Sequence, residues 1–170
     1  VSFLAMLAIA FCGYKIAVIL LDKYAYESLL SKRARLGIFL LSLLAIFTFH
    51  PIYIAQYLGQ VQVIIDLLVS LAFLAWLSER KHFSGMMIAF AALIKPTLIL
   101  VLLWAMIRKE KACFVGMIVV FIPAGILSLA VFGFEEHLDY LRVLSYIGTH
   151  GEAFWPNQSV NGLLNRLMGG

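Results

Sequence analysis

Long apolar runs separated by short basic loops set the pattern of the chain. Runs of about 17 to 25 residues cross a bilayer core of roughly 30 Å as helices, and such runs occur at Val1 to Leu21, Leu36 to Ala55, Val61 to Leu77 and Ala112 to Phe132. A further run, Phe83 to Ile107, has Lys95-Pro96 at its centre and a basic cluster at each end, Glu79-Arg80-Lys81-His82 and Arg108-Lys109-Glu110-Lys111. A lysine at membrane depth is costly and normally faces protein or a water-filled cavity. Proline beside it removes a backbone donor and breaks the helix. The pattern predicts an all-α fold, a polytopic transmembrane helical bundle with a broken or re-entrant helix at Lys95-Pro96.

Loop charges orient this bundle, because cytoplasmic loops collect Lys and Arg. The loop after the first run holds Lys23, Lys32, Arg33 and Arg35, whereas His50 to Gln62 holds no Lys, Arg, Asp or Glu. The first is expected in the cytoplasm and the second outside, so Val61 to Leu77 returns the chain to the cytoplasm at Glu79 to His82. A single kinked crossing by Phe83 to Ile107 would then put Arg108 to Lys111 outside. Broken at Lys95-Pro96, the run leaves half-helices Phe83 to Ile94 and Thr97 to Ile107, of 12 and 11 residues. Each is about 17 to 18 Å long, too short to span. A hairpin of the two returns Arg108 to Lys111 to the cytoplasm, and it is the preferred reading over one kinked span. Irregular backbone at that depth must line a cavity or be buried in protein.

After Ala112 to Phe132, the segment Gly133 to Asn165 is expected to be extracytoplasmic. Leu138, Leu141, Leu144 and Ile147 recur every third position from Glu135 to Ile147, with Glu135, Glu136, Asp139 and Arg142 between them. This is an amphipathic helix suited to the interface. Gly148 to Gln158 reads as a loop ending in Phe154-Trp155 at headgroup depth. No repeat or second domain is evident, so residues 1-170 form one transmembrane domain.

Composition agrees: 64% of the 170 residues are hydrophobic and 13% charged, with a mean hydropathy of +1.00. Soluble domains are about a quarter charged. The formal net charge of +4 follows from topology and gives no support for nucleic-acid binding. Cys12 and Cys113 read as buried thiols and do not report a redox compartment. Beginning at Val1 and ending at Gly170, the chain reads as an internal fragment, so a signal peptide is neither present nor excluded.

In this topology three polar groups meet on the outer face: Gln60 and Gln62, Lys95, and Asn157, Gln158 and Ser159 with Asn161, Asn165 and Arg166. Amides beside free N–H groups at a helix start suit an anionic or polyhydroxyl ligand, although capping and amide bonds between helices explain Gln60 and Gln62 as well. Asp66 follows Gln62 by one turn on the same face. It is read either as the ion-pair partner of Lys95 or as a general base. Lys95 itself can attract phosphate as a compact charge. Lys15 reads as a lysine that snorkels to the surface. His50 and His150 lack metal spacing, so no metal and no cofactor are expected.

The order Gly59-Gln60-Val61-Gln62, Ser84-Gly85, Leu93-Ile94-Lys95-Pro96 and Asn157-Gln158-Ser159 with Arg166 resembles the polyprenyl-phosphate-mannose-dependent mannosyltransferases of actinobacteria and their bacterial relatives, in the C-type superfamily of membrane glycosyltransferases. The resemblance runs from about Gly59 to Arg166. It implies a multi-pass enzyme of the bacterial cytoplasmic membrane, surrounded by membrane lipids. Its activity would be that of a hexosyltransferase, moving a sugar such as mannose from a polyprenyl-phosphate donor to a lipid or glycan acceptor outside. Lys95 and Arg166 would contact the donor phosphate, while Gln60, Gln62, Asn157, Gln158 and Asn161 would contact sugar or acceptor. The superfamily's base is an acidic residue in a first external loop, expected upstream of Val1, which leaves Asp66 as the candidate within the chain. Related sequences often carry Asn where Gln62 stands, and a Gln there keeps the hydrogen-bonding capacity but reaches further. A transporter or flippase for an anionic lipid or lipid-linked sugar is the alternative reading, and a structural membrane subunit a third.

Overall fold

A computed structural model of the chain describes residues 2–24, 31–57, 61–150, 163 and 167. The elements are α1 (Ser2–Tyr24), α2 (Lys32–Thr48), α3 (His50–Tyr57), α4 (Gln62–Leu77), α5 (Lys81–Ile94), a 3-10 turn (Pro96–Ile99), α6 (Leu100–Ile107) and α7 (Lys111–His150). The protein is an all-α membrane helical protein, with no strand among the described residues. Phe3–Tyr24 and Lys111–Tyr146 are long and apolar enough to cross a bilayer. The outer faces are apolar too: Leu36, Leu40, Leu41 and Leu44 of α2 are exposed, and α2 has no buried residue. So large a bare apolar surface suits hydrocarbon rather than water.

Two compact units divide the chain, Val1–Pro123 and Ala124–Gly170. In the first, two apolar clusters form the core. Ala5, Met6 and Ile9 of α1 pack with Ile52 of α3 and Val63 of α4. Ala89, Ala105, Cys113, Met117 and Val120 gather α5, α6 and the start of α7 around Trp76 of α4.

Proline positions decide where helices break. The run Leu36 to Ala55, expected as one span, is two helices parted at Phe49, whose backbone is extended (φ -74°, ψ 101°). Pro51 has no N–H to donate to Phe47 and its ring would meet that carbonyl, so a new helix begins at His50 with the proline in its first turn, where it is tolerated. Pro96 acts in the same way. A residue before proline is driven out of the helical region, and Lys95 lies at φ -123°, ψ 92°. The backbone polar groups are still satisfied there. The Lys95 N–H donates to Ala91 O at 2.8 Å, and Lys95 O accepts from Leu98 N at 3.0 Å.

The chain therefore turns back at Lys95. The 14 residues of α5 rise about 21 Å, and the 3-10 turn plus α6 descend about 20 Å. The ends close together accordingly. Trp76 and Trp104 meet with ring centroids 5.4 Å apart, and Lys81 Nζ donates to Glu110 Oε2 at 3.1 Å. Two glycines allow this approach. A Cβ on Gly85 would collide with Cys113 O, and one on Gly116 would collide with His82 O. Both basic turns have the same build: Arg80 N reaches Ala75 O at 2.8 Å and Glu79 N reaches Trp76 O at 3.1 Å, while Glu110 N and Lys109 N repeat this pattern to Ala105 O and Met106 O at 2.9 and 3.1 Å. These are paired Schellman closures, with Glu79 and Lys109 in the left-handed region (φ 59° and 57°).

In the second unit, Gly133 interrupts the helical backbone (φ 78°, ψ 172°). His137 caps the break. Its Nδ1 lies 2.6 Å from Gly133 O and its Nε2 2.8 Å from Ser128 Oγ. A carbonyl only accepts, so Nδ1 carries the proton and, in the neutral ring, Nε2 accepts from the hydroxyl. The segment Glu135 to Ile147 is helical, and the helix runs on to His150. Gly148 to His150, expected as the start of a loop, thus belong to the helix, and the rest of that expected loop, 151–158, lies outside the described residues. Leu138, Leu141 and Leu144 are exposed on this helix.

Candidate functional site

The break in the hairpin and the start of α4 form one site. Val61, Gln62 and Ile65 of the α4 end face Ile94 and Lys95 across an open cleft of about 310 Å³. Lys95 arrives there because Pro96 ends α5 one residue later, which exposes its side chain at the tip of two short helices. Gln62 arrives there as the first residue of α4.

Asp66 sits behind Gln62. The amide Nε2 of Gln62 donates to Asp66 Oδ1 at 2.7 Å, and Ser70 Oγ donates to the Asp66 carbonyl at 2.7 Å. The expected ion pair between Asp66 and Lys95 does not form: none of the ion pairs among the described residues includes either group. Gln62, four residues earlier on the same helix face, takes the carboxylate instead. That bond holds the amide in place and leaves the Lys95 ammonium without a carboxylate partner among the described residues. Such a cation, exposed at a break in the helix, suits an anionic ligand group.

The other residues expected at the site, Gln60, Asn157, Gln158, Asn161 and Arg166, lie outside the described residues, as do Ser159 and Asn165. Residues that drew no functional reading from sequence appear at the opposite end. Lys15 of α1, Ser78 and Arg80 line a second cavity, of about 510 Å³. Lys15 and Arg80 are far apart in sequence, so no spacing rule links them; a lysine well inside an apolar helix was the available signal. Lys81 lies over the Trp76 ring at 4.8 Å as well as pairing with Glu110.

The sequence model of glycosyltransferase family 87 matches residues 1–170. The chain belongs to this family, and with its two candidate spans it is a membrane glycosyltransferase. No curated protein matches the chain, and no solved structure does.

Proposed function

We propose that this family 87 glycosyltransferase takes a hexose, in the first instance mannose, from a polyprenyl-phosphate donor and passes it to a hydroxyl of a lipid or glycan acceptor on the extracytoplasmic face of a bacterial inner membrane. The observation that carries this reading is Lys95, a cation at a helix break with no ion-pair partner among the described residues, facing Gln62 across an open cleft. In the reaction the acceptor oxygen bonds to the anomeric carbon, the bond from that carbon to the phosphate oxygen breaks, and polyprenyl phosphate leaves. Negative charge grows on the departing phosphate, and a fixed cation beside it lowers the barrier. Lys95 takes that role, with Arg166 as a second phosphate contact. Gln62, held by Asp66, offers its amide to sugar hydroxyls together with Gln60, Asn157, Gln158 and Asn161.

The attacking hydroxyl also loses a proton to a base. Asp66 is the candidate in this chain, although its bond to Gln62 suits it better to holding that amide. The basic turns at Arg80 and Lys109 face the cytoplasm in this reading, so the Lys95 tip opens outward. The test is transfer by the full-length protein in proteoliposomes. Polyprenyl-phosphate mannose should serve as donor and a nucleotide-activated mannose should not. Transfer from the nucleotide sugar alone would overturn the assignment of the donor.

A further inference from the structure

At the end of the first unit remote from Lys95, α1 and α4 leave a cavity of about 510 Å³ lined by Lys15, Ser78 and Arg80 together with Phe11, Leu71 and Phe83. Its chemistry is one-sided: two cations and a hydroxyl line it, with no carboxylate among the described lining residues. Lys15 lies nine residues before the end of α1 at Tyr24, about 13 Å along the axis, and so below the level of the loops. Its Nζ rests 5.6 Å from the Phe11 ring centroid, and no ion pair among the described residues includes Lys15 or Arg80. A lysine kept in an apolar helix calls for a counter-charge, and this cavity presents it to a second cation.

We infer that this cavity binds the phosphate headgroup of an anionic phospholipid. The phosphate lies between Lys15 and Arg80, with the Ser78 hydroxyl as a further donor. An acyl chain runs over Phe11, Leu71 and Phe83. A lipid fits better than a free phosphate ion, because Phe11 and Phe83 are exposed beside the cations and a soluble ion would leave them bare. Basic pockets between membrane helices on the cytoplasmic side select anionic headgroups in this way. The site differs from the Lys95 cleft in ligand and position, and its test does not depend on sugar transfer.

Full-length protein in detergent is titrated with phosphatidylglycerol, phosphatidylcholine and glycerol phosphate, and retained molecules are counted by native mass spectrometry. Phosphatidylglycerol should be retained over phosphatidylcholine by about tenfold or more, given two basic contacts. Lys15→Gln with Arg80→Gln should bring the two lipids to parity, whereas Lys109→Gln, outside the cavity, should leave the preference intact. Lys15→Gln alone, which only removes a charge from an apolar helix, serves if the double variant does not fold, and Lys15→Arg should restore the preference. A preference that survives Lys15→Gln, or equal retention of phosphatidylcholine, would overturn the site. Glycerol phosphate binding as tightly as the lipid would overturn the acyl-chain contact.

Discussion

The two ends of the α5–α6 hairpin each present a lysine, and the two are treated in opposite ways. At the closed end Lys81 is partly buried, pairs with Glu110 at 3.1 Å and covers Trp76. At the open end Lys95 is exposed and has no carboxylate partner among the described residues, although Asp66 stands one turn behind the cleft. The closed end is packed to the limit of backbone contact at Gly85 and Gly116. The difference separates a cation that holds a fold from one left available to a ligand. Neighbouring carboxylates do not by themselves make a structural ion pair, because Gln62 intercepts Asp66.

The largest effect should come from filling the closed end. Gly85→Leu places side-chain atoms where Cys113 O now lies, and is expected to abolish accumulation of folded protein, since overpacking costs about 1–3 kcal/mol even where atoms can yield. Size-exclusion chromatography of the full-length variant reads this. A monodisperse, wild-type-like peak would show that α7 does not need this approach. Glu110→Gln should cost about 1 kcal/mol, as for a partly exposed ion pair, lowering the thermal midpoint while leaving transfer unchanged. Asp66→Asn keeps a hydrogen-bonding group beside Gln62 and should lower transfer by less than about tenfold. A fall of about 100-fold or more would instead make Asp66 the general base. The smallest effect is expected from Lys109→Gly. It relieves a left-handed residue (φ 57°) and should raise stability by about 0.5 kcal/mol, the strain less the entropy of glycine.

Proline made much of this fold legible from sequence. Lys95-Pro96 breaks its helix by a local rule, and two near-equal legs follow from counting residues; the structure lengthens them from about 17–18 Å to about 20 Å because α5 starts at Lys81 and the second leg opens with a 3-10 turn at Pro96. The same rule at Pro51 was available, yet the apolar run through it reads as a single span; hydropathy alone does not see the extended backbone at Phe49. The Gln62–Asp66 contact was readable too, since i and i+4 share a helix face. Its consequence for Lys95 was not, because which partner a carboxylate takes depends on geometry between helices. The Lys81–Glu110 pair, the Gly85–Cys113 approach and the Lys15–Arg80 cavity all join residues far apart in sequence, where periodicity is silent. Gln60, Asn157, Gln158, Asn161 and Arg166 lie outside the described residues, and their part in the site rests on the proposal alone.

The comparison between the two lysines is tested most directly by measuring sugar transfer from polyprenyl-phosphate mannose and thermal unfolding for Lys95→Gln and Lys81→Gln side by side in the full-length protein. Lys95→Gln should lose about 100-fold or more in transfer, the scale of removing one group that stabilises developing charge, with an unchanged unfolding midpoint. Lys81→Gln should do the reverse. Wild-type transfer by Lys95→Gln would contradict its contact with the leaving phosphate, and with it the distinction drawn between the two ends.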